Sequence, residues 1–168
     1  VDSIKTIPFF YPEQTDFMPK NINNNFDAEA MIFLGGNIHL FTKEWITNTV
    51  SHYVIDKNLT ENQPAKKLET FDTGFVVTDA SFFDNKLYVV GYTKKASVYL
   101  MIFEKDETGN LFFNKPLKKF SLGRAFSIGQ IEGITATEKG VYISGERFNI
   151  KIKKVPQSLY FISYKDLE

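Results

Sequence analysis

Three carboxylates, Glu29, Asp79 and Glu132, stand at the same place in a module that occurs three times. In the first copy, Asp27-Ala28-Glu29-Ala30 leads an apolar run through Gly35-Gly36-Asn37 into a second apolar run, 38–43. In the second, Thr78-Asp79-Ala80 leads through Asp84-Asn85-Lys86 into 87–92. In the third, Ile131-Glu132-Gly133 leads through Glu138-Lys139-Gly140 into 141–146. Clustered like charges cost free energy unless a cation or a proton relieves them. Converging carboxylates would therefore hold a cation, for which Ca2+ is the oxygen-seeking choice, or a polar ligand. The competing reading is structural: the carboxylates accept backbone N–H groups and hold neighbouring sheets in register. The residues alone leave both open.

Hairpin geometry extends the set. Two strands joined by a tight turn place residues opposite one another when their numbers sum to a constant. Centring the turns near Gly36, Asn85 and Lys139 puts Glu29 opposite Lys43, Asp79 opposite Tyr92 and Glu132 opposite Glu146. All six positions then share one end of their hairpins. Glu132 and Glu146 form the sharpest pair, with Arg147 next in sequence and able to neutralise them without a metal. Trp45 follows the Thr42-Lys43-Glu44 strand end, either as a wedge between sheets or as a stacking platform for a sugar or other flat ligand. Glu29, Asp79, Glu132 and Glu146 are the candidate ligand or metal residues. Lys43, Tyr92, Trp45 and Arg147 form the rim.

No catalytic residue is assigned. His39 occupies the register position of Tyr88 and Tyr142, which is that of a packing side chain. His52 falls on a third strand, away from the cluster. Neither builds a Ser-His-Asp triad. There is no His/Cys cluster with zinc spacing and no phosphate-binding or dinucleotide glycine loop. Lys118, Lys119, Lys151, Lys153 and Lys154 read as solvated charges that discourage sheet-to-sheet association.

The elements that must position these residues are strands. Ile38, Leu87 and Val141 fall at equal places, 49 and 54 residues apart, the size of one four-stranded propeller blade. Strand-like runs are expected near 28–33, 38–42, 51–55 and 67–71, then 75–83, 86–92, 97–103 and 111–120, then 132–137, 141–146 and 159–164. Residues 106–110 read as a turn. Runs such as Tyr99-Leu100-Met101-Ile102-Phe103 are apolar on both faces, as in sheets packed between neighbours. The third module lacks a fourth strand, and 5–10 supplies a spare one. The 168 residues therefore read as a single all-β domain of about three four-stranded antiparallel blades, roughly half of a six-bladed ring. The blades span 27–71, 75–120 and 131–164, with 4–11 as an extra or closing strand.

Composition agrees. Aromatic content is 15%, with 17 Phe and 8 Tyr, which favours strands. Twenty basic and twenty acidic residues cancel, which argues against nucleic acid as a partner. No cysteine is present, so disulfide and thiolate chemistry are excluded. No apolar run reaches the roughly 20 residues of a membrane helix. The chain starts at Val1 rather than Met, which points to a piece of a longer protein.

The order of motifs resembles the later part of a group of uncharacterised bacterial propeller proteins, many of them exported. The residues that carry it are 7–12 (Ile-Pro-Phe-Phe-Tyr-Pro), 27–31, 40–43, 77–80, 131–134 and 144–146. The order is also distantly similar to phytase-esterase-like propellers with Glu-Gly motifs. The resemblance implies a secreted, periplasmic or cell-surface ligand- or metal-binding propeller. Its missing blades would come from a longer parent chain or a homodimer. A metal-dependent hydrolase of phosphoesterase or lactonase type and a protein-interaction scaffold are the alternatives.

Overall fold

Two of the three repeated hairpins close through two-residue turns whose residues both adopt positive φ: Gly35 and Gly36 (58° and 83°), and Asp84 and Asn85 (46° and 63°). Such turns match the right-handed twist of the flanking strands, which is why Gly, Asn and Asp occupy them. In the third, Thr137 pairs with Gly140 across Glu138-Lys139.

The computed structural model describes residues 4–18, 21–108, 111–150 and 153–168. Strand β1 (Phe9–Phe10) precedes the first sheet, which contains β2 (Asp27–Leu34), β3 (Asn37–Lys43) and β4 (Val50–Ile55). After the short β5 (Gln63–Pro64), β6 (Lys66–Phe71) completes it. The second sheet is β7 (Val76–Phe83), β8 (Lys86–Tyr92), β9 (Ser97–Glu104) and β10 (Pro116–Arg124). The third is β11 (Gln130–Thr137), β12 (Gly140–Glu146) and β15 (Ser158–Ser163). A separate hairpin, β13 (Phe148–Ile150) and β14 (Lys153–Val155), lies between the last two in sequence. All three sheets are antiparallel meanders in chain order. The protein is thus all-β, with blade-like four-stranded sheets, and the described residues form no closed barrel.

The sheets stack face to face. Strand β7 packs against β2 on one side and β11 on the other, so the first strands of the three sheets run side by side. Alternation along β8 and β9 divides their side chains between two cores. Leu87, Val89, Met101 and Phe103 join the core shared with the first sheet. Tyr88, Val90, Leu100 and Ile102 join the core shared with the third. Each fully buried side chain of this kind contributes about 1.5–3 kcal/mol. The expectation of strands apolar on both faces holds for this central sheet.

Several details differ from the sequence reading. Strand β1 pairs in parallel with β5, beside the first sheet, and does not close the third. Its neighbours Ile7, Phe9 and Tyr11 cover part of the outer face of the first sheet. The fourth strand of the second sheet begins at Pro116. Phe112 and Phe113, expected inside a strand, sit in a loop and plug the first core. A single helical turn, Ala125–Ile128, links the second and third sheets, and a 3-10 turn, Tyr164–Leu167, follows β15. Lys119 is no free surface charge. Its ammonium donates to the Thr73 carbonyl at 2.7 Å and lies 4.5 Å from the centre of the Tyr99 ring. Residues 109–110 of the expected 106–110 turn, and Lys151, lie outside the described residues.

Candidate functional site

Each repeated hairpin contains a β-bulge at the same place. Pairing slips at Glu29 between β2 and β3, at Thr78 between β7 and β8, and at Glu132 between β11 and β12. A bulge puts two residues opposite one and leaves the extra residue out of the ladder. This corrects the expected register. Lys43, Tyr92 and Glu146 are equivalent, but they stand opposite Asp27, Val76 and Gln130. Asp79 lies one residue beyond the bulge, so Thr78 is the true counterpart of Glu29 and Glu132.

The bulges turn Glu29 and Glu132 toward Lys43. The Lys43 ammonium lies 3.4 Å from Glu29 Oε1 and 3.9 Å from Glu132 Oε2. It also sits 5.6 Å from the ring centres of both Trp45 and Tyr92, within reach of their electron-rich faces. The Lys43 side chain is only 9% exposed. One buried ammonium therefore ties the first sheet to the second and third. Burial raises the pKa of the Glu29 carboxyl. Lys43 opposes that shift, and Asp27 and Glu132 reinforce it.

Glu132 has a second set of partners. The Tyr92 hydroxyl donates to Glu132 Oε1 at 3.0 Å. The Gln130 amide donates to the same oxygen at 2.5 Å and to Tyr92 Oη at 2.8 Å. Burial and the neighbouring Glu132 charge push the Tyr92 phenol well above its ordinary pKa. The expected Glu132–Glu146 pair does not form, because the bulge carries Glu132 away from β12. Glu146 and Arg147 are exposed, and among the described residues neither bonds to Glu132.

Asp79 follows the structural reading. Its Oδ2 accepts the Ile134 N–H at 2.7 Å and its Oδ1 accepts the Ala80 N–H at 2.8 Å. Burial nevertheless raises its pKa, against the pull of those two bonds. Two neighbours that the sequence reading passed over act alongside it. The Thr78 hydroxyl donates to the Ile131 carbonyl at 2.8 Å, and Ser81 Oγ accepts the Ala136 N–H at 3.0 Å. Three side chains of β7 thus satisfy backbone groups of β11. Their spacing, polar residues among apolar ones on an inner strand, is the signal that could have revealed them.

Beside the Lys43 cluster opens a cleft of about 270 Å3, lined by Ile22, Trp45, Tyr92, Ala96, Gln130 and Phe148. Trp45 takes the wedge position between the sheets. Its ring lies 6.0 Å from that of Tyr92, bridging the first and second sheets, and it forms one wall of the cleft. Among the described residues no three His, Asp or Glu side chains are grouped so as to hold a metal ion. Lys43 supplies positive charge between the two bulge carboxylates. No protein-family model matches this chain, and no curated protein matches it.

Proposed function

We propose that this chain is a ligand-binding array of propeller-type blades, and that the ligand enters the Trp45–Tyr92–Phe148 cleft. The observation that carries the reading is the juxtaposition of an aromatic-walled cleft with the Gln130–Tyr92–Glu132 hydrogen-bond network. Ligand sites combine apolar walls with a few convergent polar groups. Flat aromatic faces suit the C–H face of a sugar ring, and the Gln130 amide suits its hydroxyls. A saccharide is the ligand class that this combination fits.

Binding is favoured over hydrolysis because the carboxylates are already committed. Glu132 is held by Tyr92 and Gln130, Asp79 by backbone N–H groups, and Glu29 by Lys43. The Ca2+ reading loses its motive for the same reason, since Lys43 relieves the repulsion a cation would relieve. Completion of the ring by further blades, from a longer chain or a second copy, belongs to the same proposal. Exposed apolar residues on the outer faces of the first and third sheets support it. Export to the periplasm or cell surface rests on the motif resemblance alone.

Trp45 is the only tryptophan, so intrinsic emission reports on this cleft directly. Titration with a panel of mono- and disaccharides should change Trp45 emission saturably for at least one of them. The response should disappear in Gln130→Ala. An unchanged spectrum across the panel would remove the saccharide reading.

A further inference from the structure

The Gln130–Tyr92–Glu132 network fixes which end of the Gln130 amide is left for a ligand. A carboxylate oxygen accepts hydrogen bonds, so the side of the amide that lies 2.5 Å from Glu132 Oε1 is its NH2. The same NH2 reaches Tyr92 Oη at 2.8 Å, and the Tyr92 hydroxyl is itself given to Glu132. Gln130 Oε1 is thereby turned away from the network. Among the described residues no group donates to it, and it is not among the buried polar side-chain atoms left without a partner, so solvent reaches it. Turning the amide over would set two oxygens against each other at Glu132.

The rest of the polar lining is sparse. Thr93 follows β8 and opens a tight turn, in which its N–H goes to the Ser97 carbonyl at 2.9 Å and its carbonyl takes the Ala96 N–H at 2.8 Å. Its Oγ1 accepts the Ser97 N–H at 3.2 Å, which leaves the hydroxyl proton to give. Lys94, exposed on the same turn, also lines the cleft. The turn is pinned from the second sheet's last strand. The Arg124 guanidinium donates to the Lys95 carbonyl at 3.0 Å, and the Ala125 N–H donates to the Ala96 carbonyl at 2.8 Å. The remaining walls are largely apolar, with Ile22, Trp45, Ala96, Ala125 and Phe148. The cleft therefore has one fixed acceptor, donors on the Thr93 turn, and otherwise mostly apolar surface. A plain hexose, with hydroxyls all round, leaves several of them unpaired against such walls.

We propose that the cleft selects a 2-acetamido sugar over a plain hexose and that Gln130 sets the preference, an inference that rests on the saccharide reading of this site. An acetamido group carries an N–H to donate, a carbonyl to accept and a methyl to bury. Gln130 Oε1 takes the N–H. The Thr93 hydroxyl or the Lys94 ammonium serves the carbonyl, and the methyl meets the Ala96–Ala125 wall. The C–H face of the sugar lies against Trp45. A site built around a fixed acceptor rejects an analogue that lacks the matching donor, because the acceptor is then covered and unpaired.

The test is Trp45 emission of the full chain, titrated with glucose, galactose and mannose, with their 2-acetamido counterparts, and with the matching 2-O-acetyl esters. At least one 2-acetamido sugar should bind about tenfold tighter than its parent hexose, the effect of one added hydrogen bond and one buried methyl. The ester keeps the methyl and the carbonyl but has no N–H, so it should lose most of that gain. An ester that binds as tightly as the amide would show that Gln130 does not read the N–H, and would overturn the proposal. Equal affinity for all three classes would also overturn it, while leaving the saccharide reading in place. No response to any of these sugars would remove the saccharide reading and this inference with it.

Discussion

Asp79 Oδ2 accepts the Ile134 N–H at 2.7 Å, so a side chain of the second sheet satisfies the backbone of the third. A buried N–H that loses its acceptor costs about 1–3 kcal/mol. Asp79→Ala strands two such groups, on Ile134 and Ala80, and should destabilise the chain by at least that amount in urea denaturation. Asp79→Asn keeps one acceptor oxygen and removes a carboxylate whose pKa is raised by burial, so it should cost less. Equal midpoints for Asp79→Ala and wild type would show that water replaces the bond.

Lys43→Met tests the charge balance of the inner cluster. Glu29 has a raised pKa in the fold, so its contribution to stability is present below its unfolded value and is lost as pH rises through the folded one. Removing the opposing ammonium raises that pKa further. Solvent access at Glu29 and Glu132 moderates the penalty, and Lys43→Met should lose roughly 1–3 kcal/mol at pH 7. The gap to wild type should narrow as pH falls toward the carboxylate range. A gap that stays constant with pH, measured by denaturant titration, would mean that Lys43 acts through packing alone.

Gly91 and Gly133 make a matched contrast. A Cβ at Gly91 would sit 1.8 Å from the Val76 carbonyl oxygen and 2.9 Å from the Phe75 ring. Backbone cannot yield there, so Gly91→Ala should cost more than about 3 kcal/mol or prevent folding. At Gly133 the nearest atom is Ser144 Oγ at 2.3 Å, the end of an exposed side chain that can rotate away. Gly133→Ala should cost under about 1 kcal/mol. Thermal melts of the two variants should therefore differ widely.

Much of this architecture is legible in the sequence because each device leaves a mark. Gly35-Gly36 and Asp84-Asn85 announce tight turns, and the apolar runs of β8 and β9 announce a sheet buried on both faces. A bulge leaves no such mark. One extra residue at Glu29, Thr78 or Glu132 looks like any other strand residue, yet it separates Asp79 from Tyr92 and Glu132 from Glu146. Likewise, Leu111-Phe112-Phe113 is apolar enough to pass for a strand. The Phe112 and Phe113 N–H groups go instead to Glu69, a partner 43 and 44 residues away that no local pattern reveals, while the Leu111 N–H goes to Asp106. The pairing of Lys43 with Glu132 across the stack is tertiary in the same sense.

The two outer faces predict self-association unless further blades cover them. Met31 and Phe33 on the first sheet are 61% and 63% exposed, and Leu159 and Phe161 on the third are 71% and 51% exposed. Apolar surface of this kind marks interaction sites. Light scattering at tens of micromolar should show a species larger than the monomer. The double variant Phe33→Lys/Phe161→Lys should return it to the monomer. Monomeric wild type at that concentration would count against ring completion by a second copy.

The central claim is that a ligand occupies the cleft beside Lys43, and 1H–15N spectra of the labelled chain test it most directly. With the saccharide that most strongly alters Trp45 emission, the Trp45 indole N–H and the Gln130 side-chain amide should shift together and saturate at one Kd. The backbone amides of Lys94 and Ala96 should follow them. Shifts that gather instead around Asp84, Lys86 and Tyr164, where a larger cleft of about 400 Å3 lies on another part of the stack, would contradict it.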